Sequence, residues 1–197
     1  MKARALTLGL ALIAASPPTD GVKGGTLGEP LRPRLTKANI VAFATIVAGE
    51  EEGGLAVFRC KVTDGMKGAK SGDVLCIRAD PERMELKTEY LLILERRAPM
   101  PAPPTLDSIS RVCRVGLDGS ILEPNTRPLP VRYISVPALF GVAAIDVFGT
   151  GIGPLPDFVE PFQVGDGLGF GSHVWVRKTE LLRALQEELA ALVRPAA

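Results

Sequence analysis

The sequence predicts a mainly β fold: a five-stranded OB-type antiparallel barrel with an irregular extension and a C-terminal α-helix. Three observations indicate this fold. Five short stretches of β-branched and apolar residues fall within residues 38–117, separated by glycine, proline and charge. Residues 55–62 alternate apolar and polar side chains, which is typical of a half-buried antiparallel strand. Leucines near the end of the chain recur at helical spacing.

The first residues have the layout of a secretory signal peptide. Lys2 and Arg4 precede an apolar run over residues 5–15, which is too short to span a bilayer as a stable anchor. We therefore expect residues 1–16 to be a signal peptide and the protein to be periplasmic or secreted. Residues 17–37 are rich in proline, glycine and threonine without periodicity, so we expect a flexible leader there.

The barrel domain is expected to occupy residues 38–117. Its first strand is apolar on both faces, and in the third strand Leu75 and Ile77 are the expected inward pair. Short strands of this number in antiparallel order favour a small closed barrel. The five predicted strands cover residues 38–50, 55–62, 73–80, 89–96 and 110–117.

The glycine-rich stretch DGMKGAKSGD, residues 64–73, lies between the second and third strands. A phosphate-binding P-loop requires a lysine directly after the last glycine and a helix after the loop. Here Ala69 separates the glycine from the lysine, and a strand follows. We therefore interpret the stretch as a hairpin turn, in which Gly65, Gly68 and Gly72 adopt backbone conformations that side chains resist.

Four segments of the barrel region carry a resemblance to a known family: ANIVAFATIV, AVFRCKVTDGMKG ending in Lys67 and Gly68, SGDVLCIR, and EYLLIL with Tyr90. Together they resemble the bacterial relatives of the netrin-like domain, the OB-fold also found in tissue inhibitors of metalloproteinases. The resemblance implies an exported five-stranded barrel with a protein-binding role. It does not imply inhibition, because those inhibitors reach the catalytic zinc with a cysteine at the mature N-terminus, and no cysteine precedes Cys60 here.

Three cysteines, Cys60, Cys76 and Cys113, allow at most one disulfide within the chain, and none lies in a C-x-x-C spacing. Two interpretations follow. The favoured one is that all three are small buried hydrophobic residues. The other is that one pair closes in an oxidising compartment.

Residues 118–197 are expected to form an extension packed on the barrel and to end in a helix over residues 179–194. The chain becomes markedly apolar from Tyr133, but Pro137 and Asp146 make a poor membrane-spanning helix, so membrane insertion is not expected. Thr179 is the expected helix cap. The apolar stripe of the helix consists of Leu181, Leu185, Leu189 and Leu192.

Charge and motifs favour a non-enzymatic binding or interaction protein of the cell envelope, whose partner would be another envelope or extracellular protein. The formal net charge of +1 gives no overall positive potential that would hold nucleic acid, so nucleic acid is not an expected partner. No cofactor motif is present, and a single histidine excludes a multi-histidine metal site, so we predict neither cofactor nor metal. OB barrels bind ligands on strands two and three and the flanking loops. The candidate residues there are Arg59, Lys61, Lys67, Lys70 and Arg78.

Two other hypotheses stay open. The first is a hydrolase-like envelope enzyme with a site between barrel and extension, using Asp146 within the apolar run or His173, the only histidine. The second is an envelope structural component held at the membrane by residues 139–155.

Overall fold

The computed structural model describes residues 31–52, 55–97, 121–136, 139–147, 150, 159–165 and 172–193. Within these residues, two α-helices flank nine β-strands. The helices are α1 (Leu31–Lys37) and α2 (Lys178–Val193), and a 3-10 turn covers Pro81–Arg83. The strands are β1 (Ile40–Glu52), β2 (Leu55–Lys67), β3 (Val74–Ala79), β4 (Glu89–Arg97), β5 (Ile121–Pro124), β6 (Leu129–Val136), β7 (Leu139–Asp146), β8 (Phe162–Gly165) and β9 (Ser172–Arg177).

The first five strands close into a barrel, which confirms the predicted fold class. β2 pairs antiparallel with β1 and β3, β5 runs parallel to β3, and β4 pairs antiparallel with both β5 and β1. The first four strands match their predicted positions to within a few residues. The fifth predicted strand, residues 110–117, lies outside the described residues. The strand that completes the ring is β5, within the stretch assigned to the extension.

Strand β1 is apolar on both faces because each face lies in a different core. Its even-numbered residues, such as Ala42 and Ile46, point into the barrel beside the inward pair Leu75 and Ile77, as predicted for that pair. The odd-numbered residues, such as Phe43, lie on the outer wall of the barrel. They belong to a second core, here called the outer core, which the extension and α2 cover. Burial on both faces explains the absence of polar alternation in β1.

Beyond β5, the described part of the extension contains four further strands outside the ring, where the sequence predicted irregular structure. β6 pairs antiparallel with β4, with Tyr90 opposite Pro130. β7, β9 and β8 then follow in that order across the sheet. These strands are only four to eight residues long. Pro130 and Gly141, whose φ is +64°, interrupt the alternation that would have marked them as strands. No helix in the described part of the chain is long and apolar enough to cross a membrane.

Helix α2 covers the outer core in the manner that its leucine spacing predicted. Leu181, Leu185 and Leu189 are buried, and Leu192 packs half-buried beside them. The helix begins one residue earlier than predicted, so Thr179 lies in its first turn and is not the cap.

Helix α1 lies within the predicted flexible leader and corrects that prediction for residues 31–37. Pro33 falls in the first turn, where the missing N–H costs no hydrogen bond. The side chain of Leu35 is fully buried in the outer core. The Lys67 ammonium donates to the carbonyls of Leu35 and Thr36, at 2.9 and 3.2 Å, and so caps the end of the helix.

The hairpin interpretation of the glycine-rich stretch is confirmed, with one correction. Gly68 and Gly72 have φ values of +68° and +90°, which side chains resist. Gly65 lies inside β2 and is needed for a different reason: a Cβ there would lie 2.1 Å from the carbonyl oxygen of Ala69. Close backbone approach, not an unusual φ, therefore requires glycine at residue 65.

The cysteines differ in their chemistry, so the interpretation of three buried thiols was wrong. Cys60 is free and buried inside the barrel, and burial raises the pKa of its thiol to about 12. Cys76 is disulfide-bonded. It lies on the outer face of β3, half-buried, whereas its neighbours Leu75 and Ile77 face inward. Residue 113 is outside the described residues.

Candidate functional site

A cavity of about 640 Å³ opens on the side of the barrel, where β3 and β5 end. Four arginines line it, together with two carboxylates, Asp80 and Glu123. Because β3 and β5 run parallel, with Ile77 opposite Leu122, their carboxyl ends meet at the same edge of the barrel. The four arginines are Arg34, Arg78, Arg83 and Arg127.

The turn after β3 forms one wall of the cavity. The Asp80 side chain accepts a hydrogen bond from the Glu82 amide at 3.1 Å, and Pro81 supplies a φ suited to the first position of the turn. This short turn directs Arg83 back toward Asp80, where the two side chains form an ion pair at 3.0 Å. Both partners are about half exposed, so the pair adds little to stability.

Strand β5 supplies the opposite wall. Glu123 is ion-paired with Arg78 on β3 and lies 3.5 Å from the guanidinium of Arg97 on β4. The side chains of Arg78 and Glu123 are only 16% and 23% exposed, so this ion pair is largely shielded from water. It joins the two parallel strands β3 and β5 within the cavity lining.

Asn125 joins helix α1 to the barrel and thereby positions the third wall. Its side-chain amide donates to the carbonyl of Arg34 and to the Glu95 carboxylate, both at 3.1 Å. Its backbone amide donates to the carbonyl of Ile93 at 2.9 Å. The half-buried Arg34 is held at the cavity by these contacts and by the packing of Leu35.

Arg127 is the most available cation of the lining. It is exposed on the link between β5 and β6, between Thr126 and Pro128, and its guanidinium makes no hydrogen bond or ion pair with the described residues. Among the described residues of the lining, four arginines stand against two carboxylates, so positive charge is in excess. The cavity can therefore attract and bind anionic groups, because arginine side chains stay protonated at any ordinary pH.

The five residues of the predicted ligand face are only partly brought together. Arg59 and Lys61 are exposed on the outer face of β2, and the strand register places Arg78 on the same face. Only Arg78 lines the cavity. Lys67 caps α1, and Lys70 lies in the hairpin turn, where its backbone amide donates to Asp73.

Sequence reasoning missed Arg34, Arg83 and Arg127 as site residues. Arg34 lies in the stretch predicted as a leader, and the other two lie in short links after strands. Only the parallel pairing of β3 with β5 and the docking of α1 bring them to one cavity. A weak local signal did exist, since Asp80-Pro81 and Arg127-Pro128 are turn sequences at strand ends, where binding residues are common.

The structure brings the two residues of the alternative enzyme site together. His173 Nδ1 lies 2.6 Å from Asp146 Oδ2, because β9 pairs with β7. The His173 side chain is half exposed, and its ring lies 6.2 Å from that of Trp175. This contact leaves Nε2 as the ring nitrogen available to other groups. No hydroxyl or thiol in the described residues hydrogen-bonds to His173.

The described residues contain no group of three or more His, Cys, Asp or Glu side chains that could hold a metal ion. Among the described residues, the arginine-lined cavity and the Asp146–His173 pair are candidate sites with a defined chemistry. No family model, no curated protein and no solved structure matches this chain.

Proposed function

We propose that the protein is an exported, non-enzymatic binding protein of the cell envelope that captures an anionic ligand in the arginine-lined cavity. The observation that carries the proposal is the excess of guanidinium groups in one cavity at the edge of an OB-type barrel. Its volume of about 640 Å³ falls in the range of small-ligand sites, roughly 300–1,000 Å³. Export rests on the signal-peptide pattern of residues 1–16.

Three features of the lining support binding over a purely structural role. Arg127 has no partner among the described residues, so its charge is available to a ligand. The Arg83–Asp80 pair is exposed and can open at little cost. The Arg78–Glu123 pair and the Asn125 contacts hold the walls in place, which reduces the ordering that a ligand must impose.

The netrin-like resemblance forms part of the proposal. The OB-type ring agrees with the fold that the resemblance implies. The proposed binding site differs from the predicted face on β2 and β3, since Arg59 and Lys61 do not line the cavity.

Ligand capture from envelope extract tests the proposal. Immobilised protein lacking residues 1–16 is incubated with the extract, washed and examined by native mass spectrometry, beside an Arg83→Ala/Arg127→Ala variant. We expect a bound species on the wild type that the variant loses. Lys37→Ala is the control, because Lys37 is exposed on α1 outside the cavity lining. Equal retention by all three proteins, or retention by none, would contradict a ligand site in the cavity.

A second candidate function is favoured by the contact between Asp146 and His173. The Asp146 carboxylate on Nδ1 orients the imidazole of His173, so that Nε2 can accept a proton from water or a hydroxyl. The chemistry would be hydrolysis of a substrate that reaches the exposed face of β7 and β9.

A substrate screen tests this second function. Chromogenic esters, phosphoesters and glycosides are offered to the wild type, Asp146→Asn and His173→Ala. If His173 is a general base, the rate falls about 10²- to 10⁴-fold in His173→Ala, and Asp146→Asn, which removes the carboxylate that orients the ring, also lowers the rate. Activity that is absent, or equal in all three proteins, would remove the enzyme hypothesis.

A further inference from the structure

The lining of the cavity contains an anionic group of its own, the carboxylate of Asp80, in contact with an arginine. Asp80 Oδ2 lies 3.0 Å from Nε of Arg83, three residues later in the chain. Among the described residues, no hydrogen bond or second ion pair occupies the rest of the Arg83 guanidinium. Asp80 thus takes the place on Arg83 that an anionic group of a ligand would take.

A second contact holds Asp80 in place independently of Arg83. Asp80 is the N-cap of the 3-10 turn, and its Oδ1 accepts a hydrogen bond from the Glu82 amide at 3.1 Å. This bond uses the carboxylate oxygen that does not face Arg83. Arg83 can therefore move away from Asp80 while the cap of the turn stays intact.

The contact between Asp80 and Arg83 is weak enough to be exchanged. The side chains of Arg83 and Asp80 are 56% and 45% exposed, and ion pairs at such exposed sites contribute little to stability. A ligand oxyanion that presents two oxygens to a guanidinium makes a bidentate contact, which is stronger than a contact through one oxygen. A carboxylate or phosphate group can therefore displace Asp80 from Arg83.

Arg127 lines the same cavity but differs from Arg83 in its availability. It is exposed on the link between β5 and β6, and its guanidinium makes no hydrogen bond or ion pair with the described residues. A ligand can bind Arg127 without breaking an existing contact, whereas it reaches Arg83 only in exchange for Asp80. The difference between the two arginines depends on one carboxylate.

We propose that Asp80 is an internal competitor that limits the affinity of the cavity for oxyanion ligands. A ligand with a carboxylate or phosphate group binds Arg127 and displaces Asp80 from Arg83. The inference rests on the proposed function and adds the residue that sets ligand affinity at that site.

An Asp80→Asn variant tests the competitor. Asparagine can still accept the hydrogen bond from the Glu82 amide, so the turn is kept while the negative charge beside Arg83 is removed. Isothermal titration of the purified protein uses glucose 6-phosphate, gluconate and glucose, which are a phosphate, a carboxylate and a neutral probe of similar size. We expect at least one anionic probe to bind Asp80→Asn about 2- to 5-fold more tightly than the wild type, the range that corresponds to an exposed ion pair.

Glu82→Gln is the matched control. Glu82 is exposed in the same turn and outside the cavity lining, and its side chain makes no hydrogen bond or ion pair with the described residues. This substitution removes the same charge two residues away, so it reports a general change in electrostatic potential. It should keep wild-type affinity. Equal gains in Asp80→Asn and Glu82→Gln would overturn the inference, because the effect would not depend on the contact with Arg83.

The remaining outcomes separate the inference from the proposed function. Anion binding that Arg83→Ala/Arg127→Ala weakens, but that Asp80→Asn leaves unchanged, overturns the competitor and leaves a cavity ligand standing. Binding that Asp80→Asn weakens has the same consequence, since Asp80 would then position Arg83 for the ligand. If no anionic probe binds either the wild type or Asp80→Asn, or if Arg83→Ala/Arg127→Ala binds as tightly as the wild type, both proposals fall. Which anionic probe binds distinguishes phosphate from carboxylate.

Discussion

A Lys178→Met variant is expected to unfold at a clearly lower urea concentration than the wild type, with about 2–3 kcal/mol less free energy of unfolding. Lys178 is the first residue of α2, and its ammonium lies 2.7 Å from Asp64 Oδ2 and 2.8 Å from Glu89 Oε1. The same ammonium lies 4.8 Å from the centre of the Phe43 ring. One cation thus connects the helix of the extension to β1, β2 and β4 of the barrel.

The size of the effect follows from burial. The Lys178 and Glu89 side chains are 17% and 16% exposed, so removal of the ammonium leaves Glu89 shielded from water without its counter-charge. Thr63 also donates to Glu89, which keeps this carboxylate in place after the change. Asp64 is 39% exposed and regains hydration more easily. The expected loss of unfolding free energy is therefore smaller than the roughly 3–5 kcal/mol that is typical when one partner of a fully buried ion pair is removed.

The pH dependence of this contribution can be stated from the pKa of Lys178. Burial lowers the pKa, but hydrogen bonds and attraction from Asp64 and Glu89 outweigh it and raise the pKa above its ordinary value of 10.5. A raised pKa in the folded state stabilises the fold below the unfolded value, and the contribution is lost as the pH rises through the folded value. The stability difference between wild type and Lys178→Met should therefore persist near neutral pH and decrease only above about pH 10.5.

Fluorescence of Trp175, the only tryptophan, measures the transition, because it lies on β9 directly before α2. The control is the double variant Lys178→Met/Glu89→Gln, which removes the uncompensated carboxylate and should recover part of the lost stability. Equal unfolding midpoints for wild type and Lys178→Met would show that the ionic contact does not hold the extension to the barrel.

Leu35→Ala is expected to cost about 3 kcal/mol of unfolding free energy, because Leu→Ala in a packed core costs roughly 2–5 kcal/mol. Leu35 is fully buried and packs in the outer core with Leu181 and Leu185 of α2. The helix that carries it has only seven residues, too few for independent stability. Loss of this anchor should therefore free α1, and with it Arg34 at the cavity.

A matched control lies on the same helix. Arg32 is 64% exposed and pairs with Glu188 of α2, so Arg32→Ala should leave the free energy of unfolding nearly unchanged. Urea unfolding of both variants makes the comparison. If Leu35→Ala were as mild as Arg32→Ala, residues 31–37 would behave as the flexible leader that the composition predicted.

Local sequence determined the elements whose pattern repeats over several residues. Alternation over residues 55–62 predicted β2, the apolar stretches predicted β1, β3 and β4, and the leucine spacing predicted α2. Such elements can be predicted from sequence because one buried face makes apolar residues recur every second residue in a strand and about every 3.6 residues in a helix. The turn at Gly68 and Gly72 could also be predicted from local sequence, since the positive φ values there suit glycine better than residues with a side chain.

Tertiary structure alone decided the features that depend on residues far apart in the chain. Helix α1 forms because Leu35 enters a core built by α2, nearly 150 residues later, and because Lys67 caps it. The cavity exists because β5 runs beside β3 and brings Arg127 to the same edge as Arg78. Asp146 meets His173 only through the pairing of β7 with β9. The spacing of residues along the sequence does not indicate such contacts, because they depend on which strands pair and not on neighbouring residues in the chain.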